Sequence, residues 1–362
     1  MRVAADALVT FAPMEDLGIE QKYITAAKNR VHSDVIGSYT YFADGDVLLA
    51  KITPCFENGK LGIASGLTSG IGYGSSEYLV FRPRAHLHNE WLYYWLARED
   101  FRQEGAARMS GAVGHKRVRN EFIESYPIPL PPLSEQQRIV AILDQAFDGI
   151  ATVKANAEKN LANARGLFAS HVQSVFSRAG NGWTTKTLNK ISRNLDSKRK
   201  PITKSDRKPG EYRYYGASGI VDYVDSYIFD GDTLLVSEDG ANLLARSTPI
   251  AFSVSGRYWV NNHAHILKFE SMATQRCVEF YLESIPLDDY ITGAAQPKLN
   301  QQALNSIPIS IPNTIGEQQK IVDEIETLLE QTQRLAFIYQ QKLAALDELK
   351  KSLLHQAFSG AL

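Results

Sequence analysis

The chain repeats itself at a fixed spacing, and this duplication constrains its fold more than any other feature. Ser134–Val140 (SEQQRIV) returns as Gly316–Val322 (GEQQKIV), 182 residues further on. Upstream, Ala43–Leu49 (ADGDVLL) returns as Phe229–Leu235 (FDGDTLL), at a spacing of 186. A duplicated chain of this length is typical of two similar modules on one scaffold. The sequences between the shared segments differ, which favours a common frame whose loops suit two different targets.

Each copy of the Glu-Gln-Gln motif opens a long helical pattern, in which apolar residues recur in alternating steps of four and three. Such steps are typical of a coiled-coil seam. The first seam comprises Ile139, Leu143, Ala146, Ile150, Val153, Ala157, Leu161, Ala164, Phe168, Val172 and Val175. The second comprises Ile321, Ile325, Leu328, Thr332, Leu335, Tyr339, Leu343, Leu346, Leu349 and Leu353.

The two helical patterns should pair with each other. Each covers about 43 residues, or about 65 Å of helix, and neither stripe is stable alone in water. We expect an antiparallel coiled coil, with the modules at opposite ends, related by a pseudo-two-fold axis and held apart by the helix length. Ser134, with Gln137 three residues on, is the predicted N-cap of the first helix, and Gly316 a weaker cap of the second.

The modules read as α+β, with mixed β-sheet and short helices. Alternating and β-branched runs such as 46–52, 77–81 and 264–269 predict strands, and 90–96 and 275–282 predict short amphipathic helices in equivalent places. The predicted organisation is a first module over residues 1–132, a spacer helix over 133–180, a second module over 181–314, and a distal spacer helix over 315–362.

Composition and charge point to an ordinary soluble protein that meets phosphate through its modules. Hydrophobic residues make up 44% and charged residues 22% of the chain. No apolar run approaches the ~20 residues of a membrane span, and a signal-peptide pattern is lacking, so we expect a cytoplasmic protein. Residues 186–213 carry ten Lys and Arg against three acids, whereas the distal helix, from 317 to 351, has seven acids against five bases.

No catalytic constellation emerges from the residues. Asp44 with Asp46, and their counterparts in the second copy, favour Asp-Gly-Asp turns over a carboxylate pair. His263 and His265 alternate along a predicted strand, but the first module has Glu77 opposite His263, which weakens a zinc site. Two cysteines cannot form a disulfide framework and show no metal-binding spacing.

The chain resembles the specificity subunit of type I restriction-modification systems. The resemblance rests on three segments and on the duplicated architecture: 42–60 (FADGDVLLAKITPCFENGK), 129–140 (PLPPLSEQQRIV) and 353–360 (LLHQAFSG). It implies two target recognition domains that each recognise half of a split site in double-stranded DNA. It also implies paired helices that fix the gap and bind two methyltransferase subunits, with restriction subunits in the full complex. S-adenosylmethionine then belongs to the methyltransferase, and this chain carries no cofactor.

One departure from the resemblance concerns the first module. The second module begins with Gly182, Trp183, Leu188 and Ile191, the usual opening of such a domain, and the first has no equivalent. We therefore expect the first module to lack its initial strand or two, through a late start codon or a truncation.

The predicted contact residues are chosen by chemistry, since Lys and Arg suit guanine and phosphate while Asn and Gln suit adenine. For DNA they are Lys51, Thr53, Asn58, Lys60, Ser75, Ser76, Lys116, Arg117, Lys198, Arg199, Lys200, Ser237, Asn242, Arg246, Asn261, Asn262 and Lys298. Lys298 is taken as the repeat of Lys116, at the spacing of 182.

The duplicated polar clusters at the helix entrances are predicted, as exposed residues, to bind the partner subunits. They are Glu135, Gln136, Gln137, Arg138, Glu317, Gln318, Gln319 and Lys320. Helix capping alone is the other explanation for these residues. Two further functions stay open. A protein-binding adaptor would show no DNA affinity, and a standalone endonuclease would need a carboxylate metal site that the sequence does not display.

Overall fold

The computed structural model describes residues 3–25, 28–112, 114–178, 180–293 and 295–362. The chain divides into two compact units, residues 1–158 with 341–362, and residues 159–340. Each unit contains one α+β module and one half of each long helix. The division therefore follows the duplication found in the sequence.

In its described residues the first module contains two β-sheets and four short helices, and the first long helix follows it. One sheet has the strand order β2-β1-β6-β3, with β1 parallel to β6, and the other has the order β5-β4-β7. The elements are β1 (Leu8–Ala12), β2 (Lys28–Val31), α1 (His32–Val35), β3 (Thr40–Ala43), β4 (Val47–Ala50), β5 (Leu61–Ile63), β6 (Ile71–Gly74), β7 (Tyr78–Phe81), α2 (Asn89–Leu96), α3 (Glu99–Ala107), α4 (Asn120–Ser125) and the long helix α5 (Leu133–Ser177).

The second module repeats this plan and adds to it. Its sheets have the orders β11-β10-β15-β12, β14-β13-β16-β9 and β17-β8. The elements are β8 (Trp183–Thr187), β9 (Arg193–Asn194), β10 (Pro209–Gly216), β11 (Gly219–Val224), β12 (Phe229–Asp230), β13 (Thr233–Ser237), α6 (Asn242–Ala245), β14 (Ala251–Val254), β15 (Arg257–Val260), β16 (Ala264–Lys268), α7 (Met272–Ser284), α8 (Gln301–Ser306), β17 (Pro308–Pro312) and the long helix α9 (Ile315–Ser359).

The two modules differ where the sequence indicates a difference. In the second, β9 extends one sheet to four strands and β8 pairs with β17. In the described part of the first module, the corresponding sheet has three strands, and the proline-rich segment 127–132 pairs with no strand. Among its described residues, the first module thus has no counterpart of β8 or β9; that it lost these strands stays a prediction.

The long helices pair antiparallel, as predicted. In the first unit, Leu354 and Ala357 near the end of α9 lie in one apolar cluster with Ile139 and Leu143 near the start of α5. In the second unit, the end of α5 shares an apolar cluster with the start of α9. Every residue predicted for the first seam is buried or half-buried, so that prediction is confirmed.

Two positions of the second predicted seam are wrong. Leu335 and Leu349 are 44% and 46% exposed. Ala336 and Lys350 are the half-buried residues at those turns. After Thr332 the next position that faces the partner helix is four residues further on, at Ala336, and not three residues on, at Leu335. The position of the facing helix decides which side chain is covered, even where a larger apolar side chain lies next to it. Lys350 can occupy such a position since its aliphatic stem covers apolar surface while its ammonium group pairs with a carboxylate, here at 2.9 Å.

The helix entrances also correct the prediction. α5 begins at Leu133, so Ser134 lies inside the first turn and is not the N-cap. The main-chain N–H groups of Glu135 and Gln136 both donate to the carbonyl of Pro132. In the second copy, Thr314 rather than Gly316 provides the cap, because its hydroxyl accepts a hydrogen bond from the N–H group of Glu317 at 3.3 Å.

Repeated aromatic side chains fasten each module to its helices. In the first unit, Phe358 packs on Trp91 of α2, with ring centroids 4.3 Å apart. In the second, Phe176 packs on Tyr281 of α7, with centroids 5.3 Å apart. Phe176 and Phe358 are 182 residues apart, so the same anchor serves both modules. No helix in the described part of the chain has the length and apolar composition that a bilayer crossing requires.

Candidate nucleic-acid interface

In the first module, the segments that follow β4, β6 and α3 meet at one end of the sheets, which we call the loop end. Lys51 N donates to Glu77 O at 2.9 Å. Thr53 N donates to Lys116 O, and Val118 N donates to Lys51 O, each at 2.9 Å. These bonds bring together residues 51–60, 75–77, 110–112 and 114–118, and join residues up to 67 positions apart in the sequence. Most of the contact residues predicted for the first module therefore lie in one place.

The loop end of the first module presents cations to solvent. Arg117 donates two hydrogen bonds to the carboxylate of Glu77, at 2.9 and 2.7 Å, and remains 47% exposed. These bonds hold the pKa of Glu77 below its ordinary value and raise that of Arg117. Lys116 is exposed, and no carboxylate among the described residues lies within salt-bridge distance of it. Asn58 and Ser76 are also exposed.

The second module builds its loop end in the same way. Glu238 N donates to His263 O at 2.9 Å, and Leu299 N donates to Glu238 O at 2.8 Å. The isolated bridge between Asp239 and Lys298 matches the one between Ile52 and Arg117 in the first module. Lys298 is therefore the structural equivalent of Arg117 and not of Lys116. The prediction was wrong by one residue because the loop from Thr292 to its bridge partner Lys298 is one residue shorter than the loop from Ser110 to Arg117.

A buried ionic network supports the second loop end. His265 is fully buried, and its ring nitrogens lie 2.6 Å from the carboxylate of Asp196 and 2.7 Å from the carbonyl of Leu299. Arg199 bridges onward to Glu238 at 2.6 Å. Burial tends to raise the pKa of Asp196, but hydrogen bonds from His265 and from the chain hold it below its ordinary value.

This network explains the histidine pair without zinc. His263 turns to Asp239 at 2.9 Å, whereas His265 turns inward to Asp196, so the two rings serve different carboxylates. Over the described ranges, no group of three His, Cys, Asp or Glu side chains has a geometry that would hold a metal ion.

Several predicted contact residues have internal partners instead. Ser237 is 1% exposed and donates to the carbonyl of Ala217, and Asn261 is 8% exposed and accepts from His263 N. Arg246 donates to the carbonyls of Leu282 and Glu283 in the last turn of α7 and to that of Ile285, the residue that follows it, and so caps the helix. The remaining internal contacts are Lys60 Nζ to Met14 O at 2.7 Å, Asn242 Nδ2 to Thr248 O at 2.9 Å, and Thr53 Oγ1 to Met109 Sδ at 3.8 Å.

For Ser237 and Asn261 these internal roles correct the prediction, because their polar groups are buried and already bonded in the interior. Thr53, Lys60, Asn242 and Arg246 are only half-buried, and for them DNA contact stays a prediction. The predicted residues whose side chains are exposed are Asn58, Ser76, Lys116, Arg117, Lys198, Lys200, Asn262 and Lys298. The half-buried ones that border them are Lys51, Ser75 and Arg199.

The Glu-Gln-Gln clusters at the helix entrances are only partly exposed, contrary to the prediction. Gln136 is 0% exposed, and its side-chain amide bonds His86 O, His88 N and Pro131 O, each at 2.8 Å. Gln318, 6% exposed, bonds Pro312 O at 2.8 Å and Thr274 Oγ1 at 2.7 Å. Each buried glutamine therefore joins its long helix to its own module.

The neighbours of the buried glutamines form small exposed ion pairs. Glu135 pairs with Arg138, and Glu317 with Lys320, each at 2.7 Å and three residues apart along the helix. Gln137 and Gln319 lie exposed between them. The same polar surface is thus present at both helix entrances.

The edge strands β2 and β11 form an exposed feature that the sequence pattern does not predict. β2 consists of Lys28, Asn29, Arg30 and Val31, and β11 of residues 219–224. A run of three polar residues lacks the apolar alternation that predicts a strand. From the sequence, β2 could have been found only by comparing the number of strands that each module has relative to the duplicated segments.

Comparisons with known proteins agree with this architecture. The model of the type I restriction modification DNA specificity domain matches residues 21–162 and 180–341. The EcoAI specificity subunit of Escherichia coli is 48% identical over 108 residues, which cover 30% of this chain and 18% of that protein. The EcoEI specificity subunit of the same species is 40% identical over 133 residues, or 36% of this chain and 22% of that protein. The matches thus span about a fifth of the length of these relatives.

Two solved structures share the fold over nearly the whole chain. A chain from a structural study of complex assembly and conformational transition in the type I R-M system superposes with a TM-score of 0.82. It is 17% identical, and the match covers 99% of this chain and 93% of that one. The HsdS subunit of Thermoanaerobacter tengcongensis gives a TM-score of 0.63 at 17% identity, with coverage of 99% and 92%. At these identities the likeness concerns the fold.

Proposed function

Because the chain belongs to the family of type I restriction-modification DNA specificity subunits, we propose that it recognises a bipartite site in double-stranded DNA. Each module contacts one half-site through its loop end. The chain contributes no catalytic group, and methyl transfer from S-adenosylmethionine takes place on partner methyltransferase subunits. Restriction subunits join the same complex.

One observation supports this proposal above the others. In both modules an equivalent set of main-chain bonds brings exposed cationic and amide side chains to the same end of the sheets. The frame is shared, but the side chains on it differ: Glu77 stands where the second module has His263, and Arg117 where it has Lys298. A common frame with different polar groups is what two half-sites of different sequence require.

We propose that the exposed residues at the two helix entrances bind the partner subunits. In the first copy these are Glu135, Gln137 and Arg138, and in the second Glu317, Gln319 and Lys320. The two surfaces have the same residue types in the same order, which suits two copies of one partner. The buried Gln136 and Gln318 take no part in this contact and hold the helix against its module.

The test is to sequence the methylome of a methylation-free host that expresses this chain with a methyltransferase subunit of its system. The expected result is one methylated motif with two short half-sites and a fixed gap, absent when the methyltransferase is expressed alone. If the complex forms and binds DNA without sequence preference, the proposal of sequence recognition is wrong. If the complex binds no DNA, the adaptor function replaces it.

A salt titration tests the loop end of the first module separately. Lys116→Ala removes an exposed ammonium group that the proposal places against phosphate, so binding should weaken for all sequences. The slope of log K against log salt should become less steep by about one. Lys159→Ala, an exposed lysine on α5 outside the loop end, is the matched control. An unchanged slope for Lys116→Ala would remove this residue from the phosphate contacts.

A further inference from the structure

Each module has a two-stranded ribbon at the edge of a four-stranded sheet, β1–β2 in the first and β10–β11 in the second. The ribbons are equivalent, because β1 lies parallel to β6 as β10 lies parallel to β15. The outer strands β2 and β11 each pair antiparallel with the inner one, and no other strand of the described residues pairs with their outer edge.

The pairing registers show which residues occupy the same place. Phe11 pairs with Tyr73, and Tyr214 with Trp259, and these two partners are 186 residues apart, the spacing of the duplicated segments. On the outer strands, Lys28 lies opposite Phe11 and Asp222 opposite Tyr214. One step along, Asn29 corresponds to Tyr223. The two ribbons thus share a backbone arrangement but differ in the side chains at equivalent positions: Lys28 stands where the second ribbon has Asp222, and Asn29 where it has Tyr223.

The first ribbon presents polar groups to solvent. Lys28, Asn29 and Arg30 are all exposed. The guanidinium of Arg30 lies 3.8 Å from the ring centroid of Phe11, which fixes its orientation. Asn29 Oδ1 accepts from Thr68 Oγ1 at 2.9 Å. Among the described residues, no carboxylate pairs with Lys28 or Arg30, and no group accepts from Asn29 Nδ2.

The second ribbon presents apolar groups instead. Ile220, Val221 and Tyr223 are 45%, 52% and 50% exposed, and Arg213 lies exposed opposite Tyr223. An open apolar strand edge invites aggregation, and proteins normally protect it with charges, a bulge or a covering element. Its presence here indicates that the surface is covered when the protein functions.

Both ribbons continue directly into the loop ends. In the second module, β10 turns into β11 through residues 217–218, and Ala217 O accepts the hydrogen bond from Ser237 Oγ. In the first, the segment after β1 is held by Lys60 Nζ, which donates to Met14 O. Each ribbon therefore adjoins the loop end of its own module.

We propose that the outer strands β2 and β11 contact base edges in the major groove and determine which half-site each module selects. This inference rests on the proposed function and identifies the residues that discriminate. The major groove of B-DNA admits a two-stranded ribbon. Lys28 and Arg30 suit guanine, Asn29 suits adenine, and Ile220, Val221 and Tyr223 suit the methyl group of thymine. The uncompensated positive charge of the first ribbon also favours nucleic acid as its occupant.

The experiment compares methylated motifs for two ribbon variants in the complete complex with the methyltransferase subunit. Lys28→Ala with Asn29→Ala alters the first ribbon, and Val221→Ser with Tyr223→Ser the second. Each should reduce discrimination about tenfold to hundredfold at positions within one half-site, and leave the other half-site and the gap intact. Lys159→Ala should leave the whole motif unchanged. Selection from a random-sequence duplex library provides the same comparison without methylation, and matched thermal unfolding shows that each variant is folded.

The outcomes separate this inference from the proposed function. If the wild-type complex selects no motif, the proposed function fails. If the wild-type motif is bipartite but both ribbon variants keep it unchanged, the ribbons do not contact bases and this inference is overturned. Loss of the methyltransferase from the purified complex, with DNA selection retained, would likewise overturn it and make the ribbon a protein interface.

Discussion

Replacement of Gln136 by leucine tests how the helices hold the modules. The Gln136 side chain forms three hydrogen bonds of 2.8 Å to main-chain groups of residues 86, 88 and 131. Leucine keeps the bulk but leaves all three groups without a partner. An unsatisfied buried polar group costs about 1–3 kcal/mol. Allowing for partial rehydration, we expect the free energy of unfolding of the first unit to fall by about 3–6 kcal/mol.

The equivalent change in the second copy should cost less. Gln318→Leu removes two hydrogen bonds, and one of its partners, the hydroxyl of Thr274, can still bond Ser271 Oγ at 2.9 Å. We expect a loss of about 2–3 kcal/mol. Gln137→Leu, at an exposed neighbouring position, is the control and should change stability by less than about 0.5 kcal/mol.

Urea unfolding measures the overall effect, but a chain of two units need not unfold in one step. Hydrogen exchange of the His88 amide gives a local measurement, because this N–H group donates to Gln136 Oε1. Exchange there should accelerate in Gln136→Leu and not in Gln137→Leu. If the two variants were equally stable and His88 exchanged at the same rate in both, the hydrogen bonds of Gln136 would contribute nothing to the stability of the first unit. This reasoning would then be refuted.

Three further predictions concern buried charge and helix phase. Asp196→Asn should destabilise the second unit at neutral pH. The folded-state pKa of Asp196 is depressed, so the extra free energy of unfolding of the wild type should be lost as pH falls through that pKa. Urea titrations at several pH values should therefore give free energies of unfolding for the two proteins that converge in acid. A difference in these free energies that stays constant with pH would contradict this. Burial raises the pKa of Glu283, so its stabilising contribution is present below the unfolded-state pKa and is lost as pH rises through the folded-state pKa. Glu283→Gln should consequently gain stability relative to wild type as pH rises from about 4 to 8, and a pH-independent difference in melting temperature would count against it. Ala336→Asp should lower the melting temperature by several degrees more than Leu335→Asp, and the reverse order would restore the seam predicted from sequence.

The sequence is sufficient for the repeated plan of this protein. Two copies of one helix-opening motif, each followed by a seam of steps of four and three, predict two long helices that must cover each other. Their connection through the second module leaves an antiparallel pair as the economical arrangement. These are consequences of local periodicity and of chain connectivity, and both follow from the order of the residues alone. The turns at Asp-Gly-Asp follow for the same reason, since Gly45 and Gly231 adopt positive φ.

The contact surface is different, because it depends on groups that meet across long separations in the chain. Gln136 and Gln137 are adjacent and identical, yet one is fully buried and the other exposed. Ser237 and Asn261 have side chains that could bind a base edge, but these side chains form hydrogen bonds inside the module instead. The edge strands β2 and β11 became visible only once sheet pairing left their outer sides open. A side chain's type states what it can bind, whereas its neighbours in space decide whether that capacity is already satisfied.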